Sequence, residues 1–407
     1  MVKRDLISKQ KVSENPALAV LKASQTVLLL QGPVGPFFDR LTQWLTAKNK
    51  QVHRIVFSGG DLHDCQVIKP IKFAGLLNEW GAFFASQCVQ LKADSVVLFG
   101  QSRAYHQQAL QVASRLGIQV VVLEEGYFRP GFVTMELDGV NGNSSTLDRF
   151  SWDGVPEHIT SATDKHPFLN STYFAAKHYA HMLLGHWQFP TYEHHRHRSP
   201  AYYFGYWMYS WFRKWSHFKL DMRKQKQLLD SKAYFYFVPL QFEGDAQLKL
   251  FSGYSSVEEF LAELIRSFSL HAPKPAMLVF REHPHGRGMG GYRSFIRQIA
   301  KSYGVDSRIV YLVEGDTPVL VKHSAGVITI NSTVGVRALK SQVPLKVMGA
   351  AIYQRPGLVF EGELDEFWIK SIPAKTELSE DFVLQLKNLT QVPVCGYATR
   401  NIPIDWR

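Results

Sequence analysis

The sequence predicts an α/β fold with two Rossmann-like domains, whose parallel sheets face a cleft, and a helical insert rich in aromatic and basic residues. Short runs of Val, Ile and Leu alternate with longer helical patterns from residue 26 to residue 126, and the same alternation resumes at residue 234. This alternation is typical of βαβ units, which build parallel sheets. A chain of 407 residues is long enough for two domains with separate cores.

The first domain is predicted to occupy residues 1–150. Its apolar runs predict strands at 26–30, 52–57, 95–100 and 118–126. The amphipathic stretches between these runs predict helices up to Trp44, at 76–91 and at 105–116.

The second domain is predicted to occupy residues 233–360 and to repeat the same pattern. Strands are expected at 234–240, 277–280, 308–315, 328–333 and 344–349. Helices are expected at 256–269, 292–303 and 318–325, and a further helix is expected from Val334.

Residues 151–232 do not follow this alternation and are dense in Trp, Tyr, Phe, His, Arg and Lys. Aromatic rings interleaved with bases suit a lipid headgroup interface, where the rings lie at the boundary and cations meet anionic lipid. Alternatively, the segment is an aromatic-rich helical insert that packs on the protein itself. His194, His195 and His197 lack the spacing of a zinc site, so no metal is expected there.

The formal net charge of +11 points to an anionic partner, which is nucleic acid, anionic lipid or an anionic small molecule. The sequence contains no zinc-finger spacing, basic heptads or RNP motif, so we do not expect nucleic acid. Three scattered cysteines indicate a reducing compartment. The sequence shows no signal-peptide core and no run of 18 apolar residues, so a cytoplasmic location is expected.

The motif Arg-Glu-His-Pro-His-Gly (281–286) follows a predicted strand of the second domain. His283 can donate a hydrogen bond to a phosphate oxygen or a leaving group, Pro284 fixes the turn, and Arg281 adds a permanent positive charge. Gly286, Gly288 and Gly291 formally match GxGxxG, but they lie in mid-domain and no acidic residue is well placed to bind a ribose. We therefore do not expect NAD or FAD.

The motif NSTVG (331–335) lies at another strand-to-helix junction of the same domain. Ser332 or Thr333 can cap the helix that follows, and backbone N–H groups at such a junction attract phosphate. Capping alone would explain these residues. The nearby His-Pro motif adds weight to the anion-binding interpretation.

Carboxylates of the first domain are candidates for acid–base chemistry. Glu124 and Glu125 end the last predicted strand, and only one of two adjacent strand residues can easily face the cleft. A surface ion pair with Arg129 or Arg103 is the alternative. Asp245 in the second domain is equally ambiguous. No Asp-x-Asp motif occurs, which argues against a donor held by a metal ion.

Taken together and in this order, the motifs resemble one family, the bacterial capsule polysaccharide β-Kdo transferases of the KpsS/KpsC type, with a sialyltransferase-like GT-B fold. The matching segments are QSRAYH (101–106), EEGYFRP (124–130), VTMELDGVNGNSS (133–145), HHR (194–196), VPLQ with Asp245, REHPHG, NSTVG and IYQRPGL (352–358). The chain carries one such module, as the KpsS-like members do. The fold also implies that residues 361–407 cross back to the first domain.

The resemblance implies roles for individual residues. His283 and Ser332/Thr333 would hold the CMP part of a CMP-Kdo donor. Asp245 would be the nucleophile of a retaining double displacement, with Glu125 as acid/base and Glu124 as its alternate. The remaining donor-binding candidates are Arg281, Pro284, His285, Gly286 and Asn331. The candidates for the sugar or the acceptor are Gln101, Arg103, Tyr127 and Arg129, since Arg matches carboxylate and phosphate bidentately.

The resemblance also implies partners. The acceptor would be a phosphatidylglycerol-type lipid on the inner face of the cytoplasmic membrane, and Kdo transfer would start the linker of a capsular polysaccharide. No cofactor beyond the CMP-Kdo substrate is expected, and a capsule assembly complex is a further expected partner. Two other functions stay open: a non-catalytic capsule assembly or export component, and a CMP-sialic acid transferase without a covalent intermediate.

Overall fold

The computed structural model describes residues 9–154, 167–194, 200–241, 252–284, 286–289, 291–395, 397 and 404–406. Two residues of the predicted site, Asp245 and His285, lie outside these ranges. The chain divides into two compact units, one of residues 1–197 with 384–407 and one of residues 198–383. Each unit contains its own predominantly parallel sheet.

Within the described residues, the first unit contains nine strands. They are β1 (Gln10–Val12), β2 (Thr26–Leu29), β3 (Gln51–Val56), β4 (Ile71–Lys72), β5 (Ser95–Phe99), β6 (Gln119–Glu125), β7 (Phe132–Leu137), β8 (Phe150–Trp152) and, near the C-terminus, β14 (Gln391–Pro393). Seven of them form one sheet in the order β14-β7-β6-β5-β2-β3-β4, and β1 pairs with β8.

The helices before residue 198 cover this sheet. They are α1 (Pro16–Ala23), α2 (Phe37–Ala47), α3 (Gly59–His63), α4 (Leu77–Leu91), α5 (Ala104–Leu116), α6 (Thr146–Arg149) and α7 (Pro167–Leu184). Apolar side chains of β2, β5 and β6 pack on the buried aromatic residues Trp80, Phe84 and Tyr105 of α4 and α5. The parallel strands are therefore buried between helices, as their near-continuous apolar runs predict.

Three strands of the first sheet, β4, β7 and β14, were not anticipated from the alternating pattern. The strands β7 and β14 run antiparallel to their neighbours, with Val133 opposite both Glu125 of β6 and Val392 of β14. The strand β7 is buried along nearly its whole length, and β14 has only three residues. A strand of two or three residues, as in β4 and β14, is too short to show a period-two alternation. The strand β7 does alternate apolar Val133, Met135 and Leu137 with polar Thr134 and Glu136, so its sequence carries a usable strand signal.

The described part of the second unit contains five strands, all parallel. They are β9 (Phe235–Pro239), β10 (Met277–Arg281), β11 (Ile309–Leu312), β12 (Gly326–Thr329) and β13 (Leu345–Val347). Their order is β11-β10-β9-β12-β13. The expected strand at 328–333 ends at Thr329, so Asn331, Ser332 and Thr333 lie in the loop beyond it.

The helices from residue 200 onwards are α8 (Pro200–Asp230), α9 (Val257–His271), α10 (Arg293–Ser302), α11 (Thr317–His323), α12 (Val334–Lys340), α13 (Leu364–Lys370) and α14 (Thr376–Thr390). Phe260, Leu264 and Phe268 of α9 and Phe367 and Trp368 of α13 form the core with the strands. The predicted α/β fold with parallel sheets in both halves and a helical aromatic segment is confirmed by these elements. That the two sheets face a cleft stays a prediction.

Both sheets wind in the same way. In chain order, the five parallel strands of each unit follow the sequence 3-2-1-4-5, with β2 or β9 as the first strand. The winding reverses beside that first strand, between β2 and β5 in one unit and between β9 and β12 in the other. In open α/β sheets, ligands bind beyond the carboxyl ends of the strands at such a reversal. The fold therefore marks two places for functional residues.

Candidate functional site

The reversal point of the second sheet is closed by a pair of amide side chains. Gln241 lies just beyond β9 and Asn331 just beyond β12. The Gln241 Nε2 donates to Asn331 Oδ1 at 2.6 Å, and the Asn331 N–H donates to Gln241 Oε1 at 3.3 Å. This pairing fixes the start of the NSTVG loop against the loop of the VPLQ motif.

Tyr353 of the IYQRPGL motif packs against the NSTVG loop. The Tyr353 hydroxyl donates to the Ser332 carbonyl at 2.5 Å, and a Cβ at Gly335 would come within 2.3 Å of the Tyr353 ring. The Ser332 hydroxyl accepts from the Val334 N–H, the first of α12, at 3.3 Å, although Ser332 lies one residue before the N-cap position. The half-buried Thr333 makes no such capping bond.

The REHPHG loop follows β10, the strand next to β9. Arg281 is half-buried and donates through Nε to the Gly315 carbonyl at 3.0 Å. Burial lowers the pKa of Arg281, and Glu314 acts against that shift. His283 and Pro284 are half-buried, while Gly286 is buried and closes a turn on the His283 carbonyl at 2.8 Å.

Glu282, between these residues, is buried and is the centre of a polar cluster. Arg213 of α8 binds its carboxylate bidentately, at 2.7 Å from Nη1 and 3.0 Å from Nη2. The Tyr311 hydroxyl donates to the same carboxylate at 2.9 Å. Arg213 also donates to the Arg287 carbonyl at 2.7 Å. The helix α8 therefore holds the REHPHG loop in place.

The glycines of the GxGxxG-like stretch serve this packing. A Cβ at Gly288 would come within 2.4 Å of the Tyr206 ring of α8. Gly291 has a φ of +68°, and a Cβ there would meet the Tyr311 hydroxyl at 2.5 Å and Glu282 at 2.6 Å. Glycine is therefore required at both positions because other side chains of the protein occupy the space of a Cβ. This packing explains the glycines without a bound dinucleotide.

Cations predominate around this loop. Arg287 pairs with Glu314 and donates through Nε to the Pro284 carbonyl at 3.0 Å. Arg293 lies over the Tyr311 ring at 5.2 Å, and its Nε and Nη2 have no hydrogen-bond partner within the described part of the chain. The four arginines of the cluster are Arg213, Arg281, Arg287 and Arg293, and the carboxylates around them are Glu282, Glu314 and Asp316. Arg213 and Arg287 are each paired with a glutamate, so Arg281 and Arg293 are the cations best able to attract an anionic ligand such as a phosphate.

In the first unit, the QSRAYH segment follows β5 at the reversal point. Gln101 is buried and bridges to Val140, donating to its carbonyl at 2.9 Å and accepting from its N–H at 3.2 Å. His106 is buried and donates from Nδ1 to the Gly100 carbonyl at 2.7 Å. Burial lowers the pKa of His106 to about 3, so its ring is neutral. These two side chains shape the loop that carries Arg103.

Arg103 is half-buried and donates to the Gly32 carbonyl at 3.2 Å. Burial lowers the pKa of this guanidinium, while Tyr192, Asp61 and Glu124 act against that shift. Among the residues that the structure describes, Gly32 is its only hydrogen-bond acceptor. A guanidinium has five N–H donors, so Arg103 retains capacity for a carboxylate or a phosphate.

The two adjacent carboxylates at the end of β6 differ in environment. Glu125 is exposed and pairs with Arg129 at 3.2 Å, which is the surface ion pair considered from the sequence. Glu124 is half-buried and lies within the electrostatic reach of Arg103 and of the buried Glu136. Glu124 is therefore better placed than Glu125 to take part in chemistry with a bound ligand.

Sequence reasoning named the VTMELDG segment without singling out Glu136 of β7. This side chain is buried, accepts from Ser144, and accepts from the Tyr127 hydroxyl at 3.4 Å. Burial raises its pKa to about 7, against the opposing effects of its hydroxyl partners. The Tyr127 hydroxyl also accepts from the Asn141 N–H at 3.0 Å. The cluster ties the EEGYF loop to the loop after β7.

Further polar residues at this reversal point were missed. Gln31, directly beyond β2, donates through Nε2 to Asp61 at 2.8 Å and to the Tyr192 hydroxyl at 2.8 Å. The buried Asp64 binds His178 of α7 at 2.7 Å. The position of Gln31 after an apolar strand was a usable signal. No sequence signal indicated Asp61, Asp64 and His178, because the packing of α3 on α7 brings these residues together.

The described ranges contain no group of three or more His, Cys, Asp or Glu side chains that could hold a metal ion. They also contain no helix that is both long and apolar enough to cross a bilayer.

Residues 94–397 match the family described as "Capsule polysaccharide biosynthesis protein". The chain is 34% identical to the capsule polysaccharide export protein KpsS of Escherichia coli, over 94% of this chain and 99% of that protein. The chain belongs to the capsule polysaccharide biosynthesis protein family. This confirms the resemblance found in the motifs, all of which lie within the aligned length.

Other relatives carry related names. The capsule polysaccharide modification protein LipB of Neisseria meningitidis serogroup B is 31% identical over 94% of each chain. A solved structure of Thermosulfurimonas dismutans KpsC, described as a β-Kdo 2,7 transferase, aligns over 88% of this chain and 98% of that chain. Its identity is 12% and its TM-score is 0.41, which is too low to support an argument about fold or chemistry.

The raised pKa of Glu136 predicts a specific loss of stability with rising pH. A carboxyl with a pKa of about 7 in the folded state and about 4.5 when unfolded stabilises the protein below pH 4.5, and this stabilisation is lost as pH rises through 7. The free energy of unfolding should fall by on the order of 3 kcal/mol from this group between about pH 4.5 and about pH 7.5. Denaturant unfolding of wild type and Glu136→Gln at both pH values measures the difference. Equal pH dependence of the two proteins would contradict the assignment.

Proposed function

We propose that this protein is a glycosyltransferase that moves β-Kdo from CMP-Kdo to a phosphatidylglycerol-type lipid, and so starts the linker of a capsular polysaccharide. The observation that carries the proposal is the reversal point of the second sheet, where the Gln241–Asn331 pair holds the NSTVG loop, which follows β12, against the end of β9. The REHPHG motif lies at the end of β10, on the other side of β9. Membership of the capsule family supports a role in polysaccharide synthesis. The choice of CMP-Kdo rests on the motif resemblance.

The second unit would bind the donor. A CMP-sugar carries one phosphodiester, whose negative charge matches the arginine-rich surroundings of the REHPHG loop. Thr333 offers a hydroxyl that makes no hydrogen bond to the described residues. His283 would stabilise the phosphate of departing CMP. With arginine and histidine in this role, transfer needs no metal, and we expect it to continue in the presence of a chelator.

The first unit would supply the acid/base and bind the sugar or the acceptor. In a retaining reaction, a carboxylate attacks the anomeric carbon, the bond from that carbon to the phosphate oxygen of CMP breaks, and CMP leaves with the electron pair. The acceptor hydroxyl then attacks the same carbon, its proton passes to a general base, and the carboxylate is released. Asp245 remains our nominee for the nucleophile. Glu124 is the preferred acid/base because it is half-buried and lies within the electrostatic reach of Arg103, whereas Glu125 is exposed.

The proposed lipid acceptor implies where in the cell the protein acts. A phosphatidylglycerol headgroup is anionic and lies at a membrane surface, so the protein would act as a peripheral protein at the inner face of the cytoplasmic membrane. The net charge of +11 favours that surface. Proteins of a capsule assembly complex are the partners that this location would bring close.

The variant His283→Ala tests the donor site. We expect kcat for Kdo transfer to fall by roughly 10²–10⁴-fold, because a group that assists the leaving phosphate is lost. The assay uses CMP-Kdo generated in situ and a fluorescent phosphatidylglycerol. The control is His323→Ala, which removes an exposed histidine of α11 and should change kcat by no more than about twofold. Near-normal transfer by His283→Ala would remove this histidine from the mechanism.

A matched pair of variants tests the acid/base assignment. Glu124→Gln and Glu125→Gln make the same chemical change at adjacent positions with different surroundings. Glu124→Gln should lower kcat by roughly 10²–10⁴-fold, whereas Glu125→Gln should stay within about tenfold of wild type. The reverse order of effects would return the role to Glu125. If wild type itself transfers neither Kdo nor sialic acid, the binding-only export component becomes the better account.

A further inference from the structure

The helix α8 buries several polar side chains and exposes a group of large aromatic ones. Arg213, Asp221 and Gln225 are buried, and Asp221 has no exposed surface. Trp211 and Trp215, one turn apart, are 62% and 76% exposed. Phe212 and Phe218 flank them and are also largely exposed. This is the reverse of an ordinary surface helix, whose apolar stripe faces the core.

The inward face is polar because it binds backbone and charge. The Asp221 carboxylate accepts from the N–H groups of Val313 and Glu314 at 2.8 Å and 3.2 Å. Gln225 Oε1 accepts from the Asp316 N–H at 2.8 Å, just beyond β11. Arg213 binds Glu282 on the same side. These bonds anchor the helix to the second unit and leave the aromatic side chains on the opposite face.

The aromatic half of α8 carries cations and no carboxylates. Lys214 and Lys219 are exposed between and beside the aromatic residues, and residues 200–220 contain no Asp or Glu. Transfer of exposed Trp and Phe side chains out of water lowers the free energy of the system, and Trp prefers the headgroup level of a bilayer. Each exposed lysine adds attraction to anionic lipid. Aromatic rings and cations on one face therefore complement an anionic membrane surface.

We propose that the outer face of α8 docks the protein on an anionic lipid bilayer, with the helix lying in the headgroup plane. The face consists of Trp211, Phe212, Lys214, Trp215, Phe218 and Lys219. This inference rests on the proposed function, because a lipid acceptor would explain why the protein needs a face that binds a membrane. The REHPHG loop is bound to the opposite face of the same helix, so docking would hold the candidate donor loop about one helix diameter, roughly 10 Å, from the lipid headgroups.

Vesicle binding of the full chain tests the proposal. Wild type should sediment with vesicles of phosphatidylcholine containing phosphatidylglycerol, and less with phosphatidylcholine alone. The variant Trp211→Ser/Trp215→Ser/Phe218→Ser should bind about tenfold more weakly or worse. The variant Lys214→Ser/Lys219→Ser should lose about tenfold at low salt and less at high salt. The control is Trp187→Ser, which removes a tryptophan that is 77% exposed but outside α8 and should bind as wild type does.

Each outcome bears on the proposal, provided that circular dichroism and thermal unfolding show the variants to be folded. Unchanged vesicle binding by both α8 variants would overturn it, as would equal losses in Trp187→Ser. A dimer of wild type that the aromatic variant abolishes, without any vesicle binding, would assign the face to a second copy of the chain. Kdo transfer by wild type to the fluorescent phosphatidylglycerol dispersed in detergent, measured without vesicles, reports the proposed function separately. Vesicle binding through α8 without such transfer would keep this inference and reject that function.

Discussion

The arrangement of the second unit depends on the buried ion pair between Arg213 and Glu282. Glu282 directly follows β10, and a carboxylate buried there without a partner would be strongly unfavourable. Arg213 supplies two parallel hydrogen bonds and a full charge from α8, and Tyr311 completes the coordination from β11. The REHPHG loop can therefore take this form only with α8 docked against it.

Several features follow from that pair. The loop needs glycine at positions 288 and 291 because the Tyr206 ring and the Glu282 carboxylate occupy the space of a side chain. Arg213, Asp221 and Gln225 bind α8 to the rest of the second unit. The aromatic side chains of α8 therefore stay exposed and available to another surface. The insert is thus packed on the protein through one face and exposes aromatic residues through the other. The packing of α8 agrees with the interpretation of an insert packed on the protein, whereas the lipid interface stays a prediction for its exposed face.

Much of the fold was predictable because parallel strands buried on both faces give near-continuous apolar runs. The nine predicted strands, from Thr26–Leu29 to Leu345–Val347, agree with those runs within a few residues. The strands β4 and β14 were not predictable because they have only two and three residues. The strand β7 carries a usable alternation of Val133, Met135 and Leu137 with Thr134 and Glu136, which was interpreted only as a motif. At the site, His283 and Asn331 were found because they follow strands. Arg213 was not found, since it lies 69 residues from Glu282 in a segment with many bases. The preference for Glu124 over Glu125 needed the observed half-burial of Glu124 and exposure of Glu125.

Direct binding of CMP is the measurement that tests the central claim, that the REHPHG and NSTVG loops form the donor site. Isothermal titration calorimetry with wild type, Arg281→Met, Thr333→Val and the exposed control Lys274→Met separates loss at the site from a general loss of charge. The account predicts that CMP binds wild type and Lys274→Met alike, and binds each of the other two about tenfold more weakly. Absence of CMP binding to wild type, or equal affinity for all four proteins, would contradict it.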